Sequence, residues 1–261
     1  METYDSSTDA RRRRSALRGA RQIVLRAAAF ALLLLPSYAL LAYVLLPAAW
    51  RHPASRVLRP PAERVTFTQE GIPSDPLNVA LVGSRAQVVR AMRKAGWKLA
   101  DPITFRSGLR DAHSVLFDRP YDTAPMSTHY LFDRPQDLAF EKTVGPSPRR
   151  RHHARFWRTG VPGDPSETLW IGAATYDRNV GVSYRTGEVM HHIDPDVDAE
   201  RARLFSDLER AGRVASVSCV EHYRPEGAGT NGGGDTYRTD GALWIGRLRK
   251  ELARLQSSAS S

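Results

Sequence analysis

The stretch Leu77-Asn-Val-Ala-Leu-Val82-Gly-Ser84-Arg-Ala-Gln-Val-Val-Arg-Ala-Met-Arg-Lys-Ala95-Gly96-Trp-Lys-Leu99 decides the fold class. Leu77 to Val82 is a short apolar run of β type. Ser84 is a helix-capping residue, and Val88, Val89 and Met92 form a stripe at helical spacing over Arg85 to Ala95, with Gly96 as the stop. Trp97 to Leu99 resumes an extended segment. A strand, a helix and a strand in succession predict an α/β arrangement.

Downstream, strands are expected over Arg151–Arg158, Thr168–Tyr176, Glu188–Ile193, Val214–Tyr223 and Ala242–Leu248. Asp194 is placed as an N-cap with Pro195 first in a helix whose stripe, Val197, Leu204, Phe205 and Leu208, runs to Gly212. Two similar stretches, Phe117-Asp-Arg-Pro-Tyr-Asp122 and Phe132-Asp-Arg-Pro-Gln-Asp137, read as turns after strand ends. A long glycine-rich loop, Glu226–Gly241, separates the last two strands. The reading is a mixed α/β (α+β) domain on one mainly antiparallel sheet with two packed helices, over residues 75–250, followed by a frayed tail at 251–261.

Upstream, Ala27 to Trp50 carries no charged side chain. As a helix those residues reach about 36 Å, enough for a hydrocarbon core of roughly 30 Å. Pro36 should kink the span, and Trp50 suits the far interface. The run exceeds the hydrophobic stretch of a cleavable signal, so a retained single-pass anchor is expected. Seven arginines precede it (Arg11–Arg14, Arg18, Arg21, Arg26), against Arg51, Arg56, Arg59 and Arg64 after it. That asymmetry predicts a cytoplasmic N-terminus, residues 1–26, and an extracytoplasmic C-terminal domain. Residues 51–74, rich in proline and arginine, read as a tether.

The formal charge of +10 divides between the flanking arginines and a scatter in which Arg149-Arg150-Arg151 is the one later cluster. No aromatic-interleaved basic stripe accompanies it, so nucleic acid is not expected as a partner. The single cysteine, Cys219, precludes an intramolecular disulfide and a cysteine zinc site, and reads as a small hydrophobe buried in a strand.

Two histidine pairs hold the most chemistry: His152-His153 and His191-His192. Strand neighbours face opposite ways, so at most one member of each pair can share a face. With Asp194 or Asp196 they would form a two-histidine, one-carboxylate shell for a divalent metal such as zinc or manganese. Asp194-Pro-Asp196-Val-Asp198 is no calcium loop, since Ala199 and Phe205 replace the required glycine and glutamate. Asn231-Gly232-Gly233-Gly234-Asp235 could turn backbone N–H groups toward an anion, although no Gly-Lys-Ser/Thr follows. Glu141, within Gln136-Asp137-Leu-Ala-Phe-Glu141-Lys142, and Asp235 are candidate proton carriers.

Several blocks resemble the LssY C-terminal domain family: LNVALVGSRAQVVRAMRKAGWKLADP, RPYDTAPMSTHYLFDRPQDLAFEK, SPRRRHHARFW, WIGAATYDRNVGV, HHIDPDVDAER and NGGGDTYRTDG, in order over about residues 75–245. The resemblance implies no defined reaction. In some members a similar domain follows a membrane-embedded phosphatidic-acid-phosphatase-like unit, which suits an extracytoplasmic placement. This chain shows one span and no such unit, so the unit's activity is not carried over. The histidine pairs and the Asn-Gly-Gly-Gly-Asp block belong to the family pattern, without assigned roles. Two functions are expected: a membrane-anchored accessory or binding domain of the cell envelope, meeting a lipid-phosphate or other anionic ligand or a membrane protein partner, or a metal-dependent phosphoesterase-like hydrolase.

Overall fold

The computed structural model describes residues 6–46, 64–102, 104–117, 121, 123–124, 126–145, 149–159, 167–185 and 187–250. The tail at 251–261, most of the tether and the first Asp-Arg-Pro turn lie outside them. The chain divides into two units, Met1–Ala49 and Trp50–Ser261.

The first unit is one helix, α1 (Ser6–Leu40), continued by a π-helical turn at Leu41–Leu45. Arg21–Leu45 is long and apolar enough to cross a membrane, with a mean hydropathy of 2.1. Pro36 lies inside the helix. Proline cannot donate to the preceding turn, and the Ser37 hydroxyl bonds the Leu33 carbonyl at 2.8 Å beside it.

The second unit is built on an eight-stranded sheet. Its strands are β3 (Val79–Val82), β4 (Lys98–Leu99), β7 (Leu138–Thr143), β8 (Arg151–Arg158), β9 (Leu169–Val182), β10 (Val189–Ile193), β11 (Val214–Val220) and β14 (Leu243–Leu248). The order is β11-β14-β3-β9-β8-β7-β4, with β10 also pairing β9, and only the β14–β3 pair is parallel. The helices α2 (Arg85–Lys94) and α4 (Val197–Arg210) cover one face. There Val88, Met92, Leu204, Phe205 and Leu208 bury against Leu81, Trp97, Phe140 and Phe156. The Ser84 hydroxyl accepts from Gln87 N–H while the Gln87 side chain accepts from Ser84 N–H, closing a capping box on α2.

On the opposite face Ala80, Trp157 and Ile171 pack with Leu77 and with Leu131 of a smaller four-stranded sheet. That sheet comprises β1 (Val65–Phe67), β2 (Pro73–Pro76), β5 (Tyr130–Leu131) and β6 (Arg134–Pro135), in the order β2-β1-β5-β6. β1 and the first half of β2 lie in the segment read from sequence as tether. Cys219, read as buried, is exposed on β11. The glycine-rich loop contains a hairpin, β12 (Gly227–Thr230) with β13 (Thr236–Thr239).

Two further differences from the sequence reading concern helices. A third helix of this unit, α3 (Phe105–Leu116), is present, capped by Thr104 and Ser107. The α4 cap is Asp196, which accepts from Ala199 N–H at 2.9 Å, whereas Asp194 accepts from Asp196 N–H in the preceding turn. With Asp194 as cap, Val197 would not be positioned as the first buried helical residue.

Candidate functional site

Strand β8 makes the site by simple alternation. His152, Ala154 and Phe156 turn to the helix-covered core, while Arg151, His153 and Arg155 turn to the other face. Register adds the neighbours: Glu141 on β7 and Thr175 on β9 stand opposite His153, and Asp177 opposite Arg151. On the far side of β9, Asp177 pairs with Ile193 and His191 with Val180, with an irregularity between His192 and Ile193.

Of these, Arg151, His153, Arg155, Thr175, Asp177, His191 and Ile193 line a cavity of about 330 Å³. Asp75 and His129 enter from the small sheet, Arg151, His153 and Arg155 from β8, Asp177 from β9 and His191 from β10. Asn231, Gly232 and Gly233 border it from the turn of the β12–β13 hairpin. The volume is at the lower end of small-molecule sites.

The cavity is dense in paired charge. Arg155 Nη1 lies 3.0 Å from Asp75 Oδ2, and Arg151 Nη1 lies 3.1 Å from Glu141 Oε2. His129 Nδ1 lies 3.3 Å from Asp75 and 3.1 Å from the Thr66 hydroxyl. His153 Nδ1 stands 3.2 Å from Asp177 Oδ2, close enough for an ion pair but off the line of a hydrogen bond. His153 is 6% exposed, and its Nε2 is buried with no hydrogen-bond partner among the described residues. Arg151 Nη2 meets the His191 ring at 2.7 Å.

Burial dominates the ionisation of these groups. It pushes the Asp177 carboxyl up to about 8, although Arg151 and Arg155 pull the other way. It raises Asp75 too, against Arg155. Burial, then Arg151 and Arg155, hold His153 well below the usual imidazole range, and burial with Arg155 does the same to His129. At neutral pH Asp177 is thus protonated and His153 and His129 are neutral, beside the Arg155–Asp75 and Arg151–Glu141 pairs.

The residues singled out from sequence do not converge on one place. His153, His191, Asn231, Gly232 and Gly233 share the cavity. His152 points to the core, where Nδ1 lies 2.7 Å from Glu200 Oε2 beside the Tyr176 ring. His192 bonds Asp235 Oδ1 at 2.7 Å, and Asp235 Oδ2 accepts from Ile193 N–H, so this pair ties the hairpin to β10. Asp194 and Asp196 serve the start of α4. Glu141 is fully buried and braces Arg151 from outside the cavity lining. Gly234 is in the turn, with φ of 96°.

Neither proposed ligand-holding device has the geometry it requires. Among the described residues no three His, Cys, Asp or Glu side chains are arranged to hold a metal ion. His153 and His191 have ring centroids 6.4 Å apart, and a cation between them would face the buried Arg151 guanidinium. These residues do not fit a divalent metal. The glycine-loop amides are also engaged: Gly232 N–H donates to Ser74 Oγ, Gly233 and Asp235 N–H to Asn231 Oδ1, and Gly234 N–H to the Asn231 carbonyl. The glycines serve close packing, since a Cβ on Gly232 would overlap Thr68 and one on Gly233 would overlap Met190.

Arg155, Asp75, His129 and Asp177 escaped the sequence reading. A usable signal was the alternation Arg151-x-His153-x-Arg155, which places three cationic-type residues on one strand face. Asp75, His129 and Asp177 are isolated in sequence and meet only through sheet pairing.

The family model described as LssY C-terminus matches residues 60–243, the span that contains every wall of the cavity. The chain belongs to the LssY C-terminus family. No curated protein and no solved structure matches it. The LssY C-terminus match begins at residue 60, before β1, so the small sheet that supplies Asp75 and His129 is part of the family domain.

Proposed function

We propose that this LssY C-terminus protein is a membrane-anchored binding domain whose cavity takes the anionic group of a small ligand, of phosphate type. The arginine-rich sequence before the span favours an extracytoplasmic domain. The observation that carries the ligand reading is the floor: Arg151 and Arg155 are 2% and 4% exposed, and the buried, unpartnered His153 Nε2 stands between them in sequence. With Asp177 protonated, His153 in its Nε2–H tautomer would offer a ligand oxygen a hydrogen bond, and the guanidiniums would supply charge in a weakly screened interior. Asp75 and Glu141 hold those guanidiniums in place. Glu70 and Glu188 also stand at the cavity wall, half-buried.

Calorimetric titration of the full chain in detergent micelles tests this reading, with inorganic phosphate and glycerol phosphate as probes and glycerol as the neutral control. Saturable heats with both phosphates and none with glycerol are expected. His153→Gln and Arg155→Met, checked for folding by circular dichroism, should weaken binding about tenfold or more, the loss of one charge-assisted hydrogen bond. Absence of saturable binding to either phosphate by the folded chain would remove the proposal.

Of the alternative hydrolase, the metal-dependent form has no three-residue ligand set among the described residues. The His153–Asp177 pair supports a proton-transfer form instead, and phosphate release from a chromogenic phosphomonoester, measured with and without a chelator, distinguishes the two.

A further inference from the structure

The mouth of the cavity is formed in part by the connection between β9 and β10. Ser183, Glu188, Val189 and Met190 all line it. Along this hairpin end three large apolar or aromatic side chains stand in solvent: Val182 at 52%, Tyr184 at 74% and Val189 at 55% exposure. Val182 and Val189 are register partners and so lie side by side on one face. Eight such side chains are exposed among the described residues of this unit, so three at one hairpin is a concentration rather than scatter. The tip is held firmly. Tyr184 N–H donates to the Gly233 carbonyl at 3.0 Å, and its ring lies 5.1 Å from the His192 ring. Arg178, exposed, and Arg185, half-buried, flank the apolar group on the same hairpin.

We infer that this hairpin is a lip that enters the interface of an anionic phospholipid bilayer, so that the cavity opens onto lipid headgroups. An aromatic ring with aliphatic neighbours suits the boundary between headgroup and acyl chain, and the two arginines complement lipid phosphates. Chain length keeps the domain at the bilayer. The candidate span ends at Leu45 and β1 begins at Val65, and the residues between them reach about 65 Å at full extension. The lip adjoins the proposed anion site, and in resting on that reading it names the ligand's source: a phosphate carried by a membrane lipid.

The test uses the full chain reconstituted in vesicles of phosphatidylglycerol and phosphatidylethanolamine. A nitroxide is attached at Tyr184→Cys or at Val189→Cys in a Cys219→Ser background, with Val217→Cys on β11 as the aqueous control. Collision with dissolved oxygen and with a water-soluble nickel chelate is measured at each label. The lip labels should show an oxygen-to-nickel ratio several-fold above the control, falling toward it in vesicles of phosphatidylcholine alone. Lip labels indistinguishable from Val217→Cys in anionic vesicles would overturn the inference. A buried lip in a protein that binds no phosphate by calorimetry would leave the membrane contact standing and remove the cavity reading. An aqueous lip with phosphate binding intact would instead point to a ligand free in solution.

Discussion

The two faces of β8 begin from nearly the same chemistry and end in opposite states. His152 and His153 are adjacent, similarly buried, and each within 3.2 Å of a carboxylate. His152 sits over packed aromatic side chains, its partner Glu200 fixed on α4, and joins sheet to helix. His153 sits over a cavity, its partner Asp177 among competing charges, with Nε2 unused. What separates a structural histidine from a binding one here is the element that covers it. A helix leaves no room, whereas the small sheet and the β12–β13 hairpin leave about 330 Å³. The comparison can be broken by substitutions that treat the two faces unequally.

The largest effect belongs to the packed face. Phe156 is fully buried, with the Phe140 ring at 6.2 Å edge-on, in the cluster that joins α2 and α4 to the sheet. Phe156→Ala should cost about 3–5 kcal/mol, as removal of a buried aromatic side chain does. Chemical denaturation of the full chain in micelles measures it. A loss under 1 kcal/mol would mean that the helices do not depend on this face.

The histidines themselves come next. His152→Ala removes the partner of a Glu200 whose carboxyl burial already pushes up, and opens space beside Trp97 and Tyr176. It should cost about 2–3 kcal/mol. His153→Ala removes a group with one unsatisfied nitrogen from the wall of an existing cavity, and should cost less than about 1 kcal/mol. Equal losses in the same denaturation experiment would erase the distinction between the faces.

Much of this frame was legible in the residues. The run from Leu77 to Leu99 carried its own strand, cap, stripe and stop, and β8 occupies the bounds read for it although only Phe156 and Trp157 among its residues favour strands. Helix α3 was not, since Gly108 interrupts its pattern and its Thr104–Ser107 cap lacks the usual glutamate or glutamine. Strands β1 and β2 were hidden by Pro73 and Pro76, which argue against a strand until one sees that they belong to an edge. At the site, the histidine pairs and the Asn-Gly-Gly-Gly-Asp block were visible as motifs. Which histidine of each pair meets the other depends on the irregularity between His192 and Ile193. No local pattern announces that feature, and a one-residue shift in pairing would exchange every partner.

The slope of stability against pH is the effect most specific to the cavity face. Asp177 is held protonated up to about pH 8 in the folded chain, while an unfolded aspartate releases its proton near 3.9. The folded state therefore keeps a proton that the unfolded state gives up. The stability this group contributes is complete below about pH 4 and is lost as pH rises through 8. His153 and His129 act with the opposite sign, because their depressed affinity for protons costs stability as pH falls below about 6.5. Between pH 6.5 and 8 the unfolded histidines finish losing their protons, a contribution shared by parent and Asp177→Asn, so the difference between the two isolates Asp177, a decline of at most about 1.4 kcal/mol per pH unit. Asp177→Asn keeps the shape and removes the titration, so its stability curve in phosphate-free buffer should be flatter than the parent's in that window. The two curves should converge in slope above pH 8. Parallel curves from 6.5 to 8 would show that Asp177 is ionised in the folded protein, which would set a third carboxylate beside guanidiniums already paired with Asp75 and Glu141 and turn the cavity against an anion.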